Sequence, residues 1–158
     1  MGFEGLEVAY RQHSAELMRY ATVLVGPADA HDVVTDAMVK VFAAVGEGGD
    51  SAVTELRAFL FRAVHHRAVD YLRSRSRRRR REVTYARRDH TTNSDSAVAT
   101  DARALLAALT VQQRTVVFLT YWVDWSPSQI GGVMGVSEGT VRKQLARARA
   151  RLREQLHE

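Results

Sequence analysis

Apolar residues recur at intervals of three and four along most of the chain, the spacing of one helix face, and the period-two alternation of a half-buried strand persists nowhere. The pattern predicts an all-α protein. A first helix runs from about Leu6 to Val25 with Val8, Leu17, Tyr20, Ala21 and Leu24 turned inward, and Gly26-Pro27 ends it. A second spans about Ala28 to Val45, burying Val34, Ala37, Met38, Val41 and Val45, and stops at Gly46-Glu47-Gly48-Gly49. A third starts near Ser51, buries Leu56, Phe59, Leu60, Ala63 and Val64, and continues through Val69 and Leu72 into RSRSRRRRR. Three such helices make one small bundle.

Periodicity then lapses. Residues 82–97, EVTYARRDHTTNSDSA, fill with Thr, Ser, Asn and Asp and read as a flexible linker between residues 1–81 and residues 98–158. Helical spacing resumes with Leu105, Leu106 and Leu109. Thr110-Val111-Gln112-Gln113 has the form of a capping box, in which a Thr side chain and a Gln three residues on satisfy each other's free backbone N–H groups. Ser126-Pro127-Ser128-Gln129 repeats the device, with proline at the first helical position, ahead of Ile130, Val133 and Met134.

Gly135 falls where a left-handed glycine would turn the chain, and Ser137 can cap a last helix whose Val141, Leu145, Ala148, Leu152 and Leu156 share one face. Two helices joined by a tight glycine turn form a helix-turn-helix, whose second helix lies in the DNA major groove and reads bases with its N-terminal residues. The remaining faces of that helix carry Arg142, Lys143, Gln144, Arg147, Arg149, Arg151 and Arg153.

The formal charge of +5 conceals an asymmetry: eight acids and three bases lie in residues 1–50, leaving twenty bases and ten acids beyond. A basic part suits nucleic acid through counterion release, whereas an acidic part is repelled by it and suits a basic protein surface. The absence of cysteine excludes disulfides and thiolate chemistry within these residues. No apolar run approaches membrane-spanning length, and Met1-Gly2-Phe3-Glu4 lacks the basic flank of a secretory signal, so a cytoplasmic protein is expected.

Other chemistry finds little support. His31, His65 and His66 lack metal-ligand spacing, the glycine run has neither the strand nor the Lys-Ser of a phosphate loop, and no Ser, His and Asp group as a catalytic triad. No enzyme, metal or cofactor is expected. The arginines at 73, 75 and 77–81 follow a helix bearing Phe59, Phe61, His65, His66 and Tyr71, and cations beside flat rings suit a strand whose bases are unstacked. Trp122 and Trp125 are assigned to the core of a small domain rather than to base stacking.

Three segments together resemble the extracytoplasmic-function group of bacterial sigma factors: GPADAHDVVTDAMVKVF, FLFRAVHHRAVDYLRSRSRR, and LLAALTVQQRTVVFLTYW with the following SPSQIGGVMGVSEGTVRKQLARARARLREQL. The resemblance covers nearly the whole chain and implies two helical DNA-binding domains. It places Asp32, Thr35, Asp36 and Lys40 on a face that docks to the clamp helices of the largest subunit of core RNA polymerase. His66, Asp70, Arg73 and Arg77 fall where the family captures the minus-ten element and flips a base. Thr140, Arg142, Lys143 and Gln144 fall at the start of the helix that reads the minus-thirty-five element, with Arg147 and Arg149 on phosphates. It also implies a monomer on the polymerase and leaves room for an anti-sigma factor.

Several positions depart from the family pattern. Phe42 stands for a Trp, Thr35 for a Gln, His66 for an Asn, Lys143-Gln144 for Ser-Arg, Leu109-Thr110 for Leu-Pro, and Gly131-Gly132 for alanines at a cost of about 1 kcal/mol each. Promoter preference therefore does not transfer. Two other readings stay open: a free-standing helix-turn-helix regulator, and an adaptor that occupies polymerase without melting DNA.

Overall fold

A computed structural model describes residues 3–46, 55–82 and 97–157, and every element among them is helical. In chain order these are α1 (Phe3–Val25), α2 (Ala30–Gly46), α3 (Leu56–Glu82), α4 (Ala97–Ala107), α5 (Val111–Tyr121), α6 (Pro127–Met134) and α7 (Glu138–His157). The start expected near Ser51, the run Glu47–Gly49 and residues 83–96 of the expected linker lie outside the described residues.

α1, α2 and α3 pack pairwise as a bundle around Leu17, Tyr20, Leu24, Val33, Val34, Leu60 and Val64. Gly26 takes a φ of 90° and Pro27 follows, which ends α1 and returns the chain antiparallel as α2. α5, α6 and α7 form a second group around Val116, Leu119, Ile130 and Val141. Both anticipated capping boxes are present: Gln113 N–H donates to the Thr110 hydroxyl, Gln129 N–H donates to that of Ser126, and each Gln side chain accepts from the backbone N–H of its cap.

Two inward assignments fail for reasons of geometry. Val8 is exposed, because at 3.6 residues per turn it lies about 180° around α1 from Leu17. Leu156 shares the buried stripe of α7 but is exposed, because the 20-residue α7 outruns the 11-residue α5 and 8-residue α6 that cover its first turns.

The two groups of helices are not separate in this structure. α3 packs on α6 and α1 packs on α5, so buried side chains from both form one continuous core. Tyr20, fully buried on α1, has its ring centroid 5.1 Å from that of Phe61 and 5.4 Å from that of Phe118 on α5. Phe61 meets Trp125 of the second group edge-on at 5.1 Å. Glu16 accepts hydrogen bonds from Arg57, whose guanidinium then lies 5.3 Å over the Trp125 ring. Phe61 and His65, expected as stacking platforms for bases, are thus spent inside the protein. The tryptophans divide: Trp125 is buried, whereas Trp122 is 60% exposed.

His65 is the buried imidazole of this seam, hydrogen-bonded through Nδ1 to the Tyr20 hydroxyl at 2.9 Å. Burial, reinforced by the neighbouring His66, lowers its pKa to about 4. The unfolded chain binds this proton below the ordinary value of 6.5 and the folded chain only near 4, so stability falls as pH drops through that window. Between pH 7 and pH 5 the loss from this group reaches about 2 kcal/mol. Urea unfolding at the two pH values, in the wild type and in His65→Phe, measures it: the substitution should remove most of the slope.

Candidate nucleic-acid interface

The helix-turn-helix is assembled from local chemistry. Gly135 adopts φ 70°, ψ 33° at the end of α6, and its N–H bonds the Gly131 carbonyl at 2.8 Å. The Ser137 hydroxyl accepts from Thr140 N–H at 3.2 Å and starts α7. The turn brings the Val136 carbonyl so near Gly131 that a Cβ there would sit 2.7 Å from the oxygen, whereas a Cβ at Gly132 would meet nothing within 4 Å. The adjacent glycines therefore differ: Gly131 is required by the turn, and Gly132 alone carries the helix cost expected for both.

The six recognition-helix residues fall on two faces. At 3.6 residues per turn, Thr140, Lys143, Gln144 and Arg147 share one, and Arg142 and Arg149 lie roughly opposite. The Thr140 hydroxyl is bonded to that of Ser137 at 2.9 Å, and Gln144 donates to the Gln112 side chain at 3.0 Å. Lys143 and Arg147 stand exposed on this face. On the other, Arg142 pairs with Glu138 at 2.7 Å, and Arg149 donates to the Tyr121 hydroxyl at 2.7 Å while lying over its ring.

On α3, His66, Asp70, Arg73 and Arg77 follow at intervals of four, three and four, and all four are exposed on one stripe. The arginine run continues this helix to Glu82 as an exposed cationic rod rather than a tail. His66, Asp70 and Arg73 face Gln144 and Arg147 across a cleft of about 810 Å³. A second groove, of about 390 Å³ between α2 and α3, is lined by Lys40, Phe59, Arg62, His66 and Asp70.

Asp32, Thr35, Asp36 and Lys40 are exposed along α2. Asp36 already accepts from Arg67 of α3 at 2.9 Å, so that acid is partly neutralised. Val39, in the midst of these residues, is 63% exposed. Sequence reading missed it, although an apolar residue on a charged stripe two positions from the inward Ala37 and Val41 was there to be seen.

Among the described residues no cluster of three or more His, Asp or Glu side chains could hold a metal, and no helix is long and apolar enough to cross a membrane. The surfaces that remain are two basic faces and one acidic, apolar-centred face.

Comparison with known proteins agrees with that geometry. The family model for Sigma-70 region 2 matches residues 9–78, and that for Sigma-70, region 4 matches residues 100–152. The chain is 33% identical over 161 residues to the ECF RNA polymerase sigma factor SigL of Mycobacterium tuberculosis, covering 97% of this chain and 89% of that one. It is 32% identical over 151 residues to the RNA polymerase sigma-E factor of Streptomyces avermitilis, covering 92% and 82%. In fold it is similar to the sigma factor RpoE solved with the anti-sigma factor NepR from Bartonella quintana, with TM-score 0.78, 22% identity and 98% of both chains covered. It is also similar to CnrH solved with the cytosolic domain of CnrY, with TM-score 0.68, 24% identity, and 99% and 90% covered.

The glycine pair gives a direct test of the turn. Gly132→Ala should raise stability by about 0.5–1 kcal/mol, and Gly131→Ala should lower it by more than about 1 kcal/mol, both read from urea midpoints.

Proposed function

We propose a division of labour from one premise: this chain belongs to the ECF RNA polymerase sigma factors, of the sigma-70 family. It is an alternative sigma factor that directs promoter recognition. The free-standing repressor considered from sequence gives way to this membership. Residues 1–81 form the unit that binds core polymerase and melts DNA, and residues 98–158 the unit that reads the minus-thirty-five element. The protein performs no catalysis and acts in the cytoplasm, where transcription takes place.

Docking to the polymerase clamp helices uses α2 through Asp32, Thr35, Asp36 and Lys40, with Val39 as the apolar centre. An exposed aliphatic ringed by charge is the arrangement in which burial supplies affinity and charges supply orientation. On α3, His66, Asp70, Arg73 and Arg77 hold the non-template strand at the minus-ten element. The groove beside Phe59 and His66 is where an extruded base would sit, its binding offsetting an unstacking cost of a few kcal/mol. On α7, Lys143 and Arg147 are free to enter the major groove with Thr140 and Gln144 beside them, while Arg142 and Arg149 flank phosphates.

The observation that carries this reading is that the two stripes proposed to touch DNA, His66–Asp70–Arg73 and Gln144–Arg147, face each other across one cleft. Elements about 25 base pairs apart are separated by roughly 80 Å of B-DNA, so one promoter cannot reach both stripes in this closed arrangement. The units must part. Residues 83–96 would span at most roughly 50 Å if extended, enough for a wide separation once each unit's own size is added. An anti-sigma protein that favours the closed arrangement would silence the factor; the sigma factor RpoE, similar in fold, was solved with an anti-sigma factor.

Run-off transcription from a genomic promoter library, with core polymerase and with or without this protein, tests the reading. New transcripts sharing two spaced motifs are expected; co-elution with polymerase but no transcripts would indicate an adaptor instead. Val39→Asp should weaken polymerase binding about tenfold or more with little change in melting temperature, and unchanged binding would remove α2 as the docking face. Lys143→Ala should alter the minus-thirty-five motif recovered from the library; an identical motif would count against base reading there.

A further inference from the structure

A second seam between the units shares no lining residue with the DNA-facing cleft. It is a groove of about 700 Å³ between α1 and α5, walled by Met18, Thr22, Leu106, Val117, Phe118 and Trp122. Trp122 contributes a ring 60% exposed, stacked at 5.9 Å on Phe118 and held from the α1 side by Arg19, 5.6 Å above it.

One end of the groove is cationic. A smaller cavity of about 320 Å³ continues from it, sharing Thr22, Val23, Leu106 and Arg114 and adding Arg75 and Arg103. No carboxylate lines either space among the described residues; Asp29, 3.7 Å from Arg75, is that arginine's acidic neighbour. Arg114 sits at the junction. Its Nη1 donates a long bond of 3.4 Å to the Val23 carbonyl, and its Nε is buried with no hydrogen-bond partner among the described residues. Burial lowers its pKa, the direction expected when a cation lacks a counter-charge.

A partly buried guanidinium with an unused N–H, at the end of an apolar trough, is the complement of an anionic head on an apolar body. We infer that this seam binds an amphipathic monocarboxylate, a straight-chain acid of about ten carbons, with its head at Arg114 and its tail along Met18, Val117 and Trp122. Because its walls come from both units, the ligand is bound by the closed arrangement and not by the open one, and it shifts the population toward closure. That consequence rests on the function proposed above; the binding itself does not.

The full chain, labelled with ¹⁵N, has two tryptophans and so two indole N–H resonances, assigned with Trp122→Phe. Titration with decanoate below its micelle concentration should move the Trp122 resonance saturably, and decyltrimethylammonium at the same concentrations should not. Arg114→Gln should weaken binding about tenfold or more, and Arg114→Lys should retain it within about threefold. No saturable shift, an equal response to both head groups, or undiminished binding by a folded Arg114→Gln overturns the site. The head-group comparison on the unaltered chain decides the matter even if that variant unfolds. Saturating decanoate should also reduce run-off transcription about fivefold or more relative to an active control without it. Binding without that reduction overturns the bridging role alone.

Discussion

The Tyr20 ring is the contact on which the arrangement of this protein depends. It has no exposure, and it meets three rings on two other elements: Phe61 and His65 on α3 within its own bundle, and Phe118 on α5 beyond it. Each aromatic pair contributes about 0.5–1.5 kcal/mol beyond simple area burial. The hydroxyl cannot be buried unpaired, and His65 Nδ1 meets it. The imidazole must then stay neutral inside the seam, and burial ensures that it does. One tyrosine thus links the packing of α1 on α3 to the docking of the second unit.

That docking places the stripes of α3 and α7 proposed to touch DNA face to face. A sigma factor needs them apart, on elements that duplex geometry separates by tens of ångströms. The closed contacts are of the kind that can be exchanged: aromatic faces and edges, and guanidinium groups over tryptophan rings. None is a buried ion pair whose breaking would strand a charge. The residues proposed to meet polymerase, Asp32, Thr35, Asp36 and Lys40, are exposed on α2, away from the cleft between the units.

Much of the fold was legible in the chain because it is written in local chemistry. Ser126 with Gln129, Thr110 with Gln113 and Gly135 each specify a helix end within four residues, and the structure shows each of them doing so. Helical periodicity likewise located α2, α3 and α7, whereas the stripes on them were implied by the resemblance to the sigma-factor family. What escaped was decided by contacts distant in sequence. Phe61 and His65 read as platforms for bases because nothing near them announces that Tyr20 and Trp125 will cover them. Gly131 read as a mere cost because the Val136 carbonyl that requires it arrives only when the turn closes. The two faces of α7 follow from its own spacing, but that one of them lies toward the cleft and that Arg149 of the other meets Tyr121 depends on α3 and α5, which the helix's own residues do not reveal.

The central claim is that the units part when the factor engages a promoter. The chain has no cysteine, so Gln12→Cys on α1 and Glu154→Cys on α7, both exposed, accept one spin label each without interference. Pulsed electron–electron resonance should give one narrow, short distance for the free protein. In complex with core polymerase and a two-element promoter the distance should lengthen by roughly 30 Å or more, within what the intervening chain length permits. A distribution unchanged on forming a transcriptionally active complex would contradict the account, since both elements would then be read from the closed form.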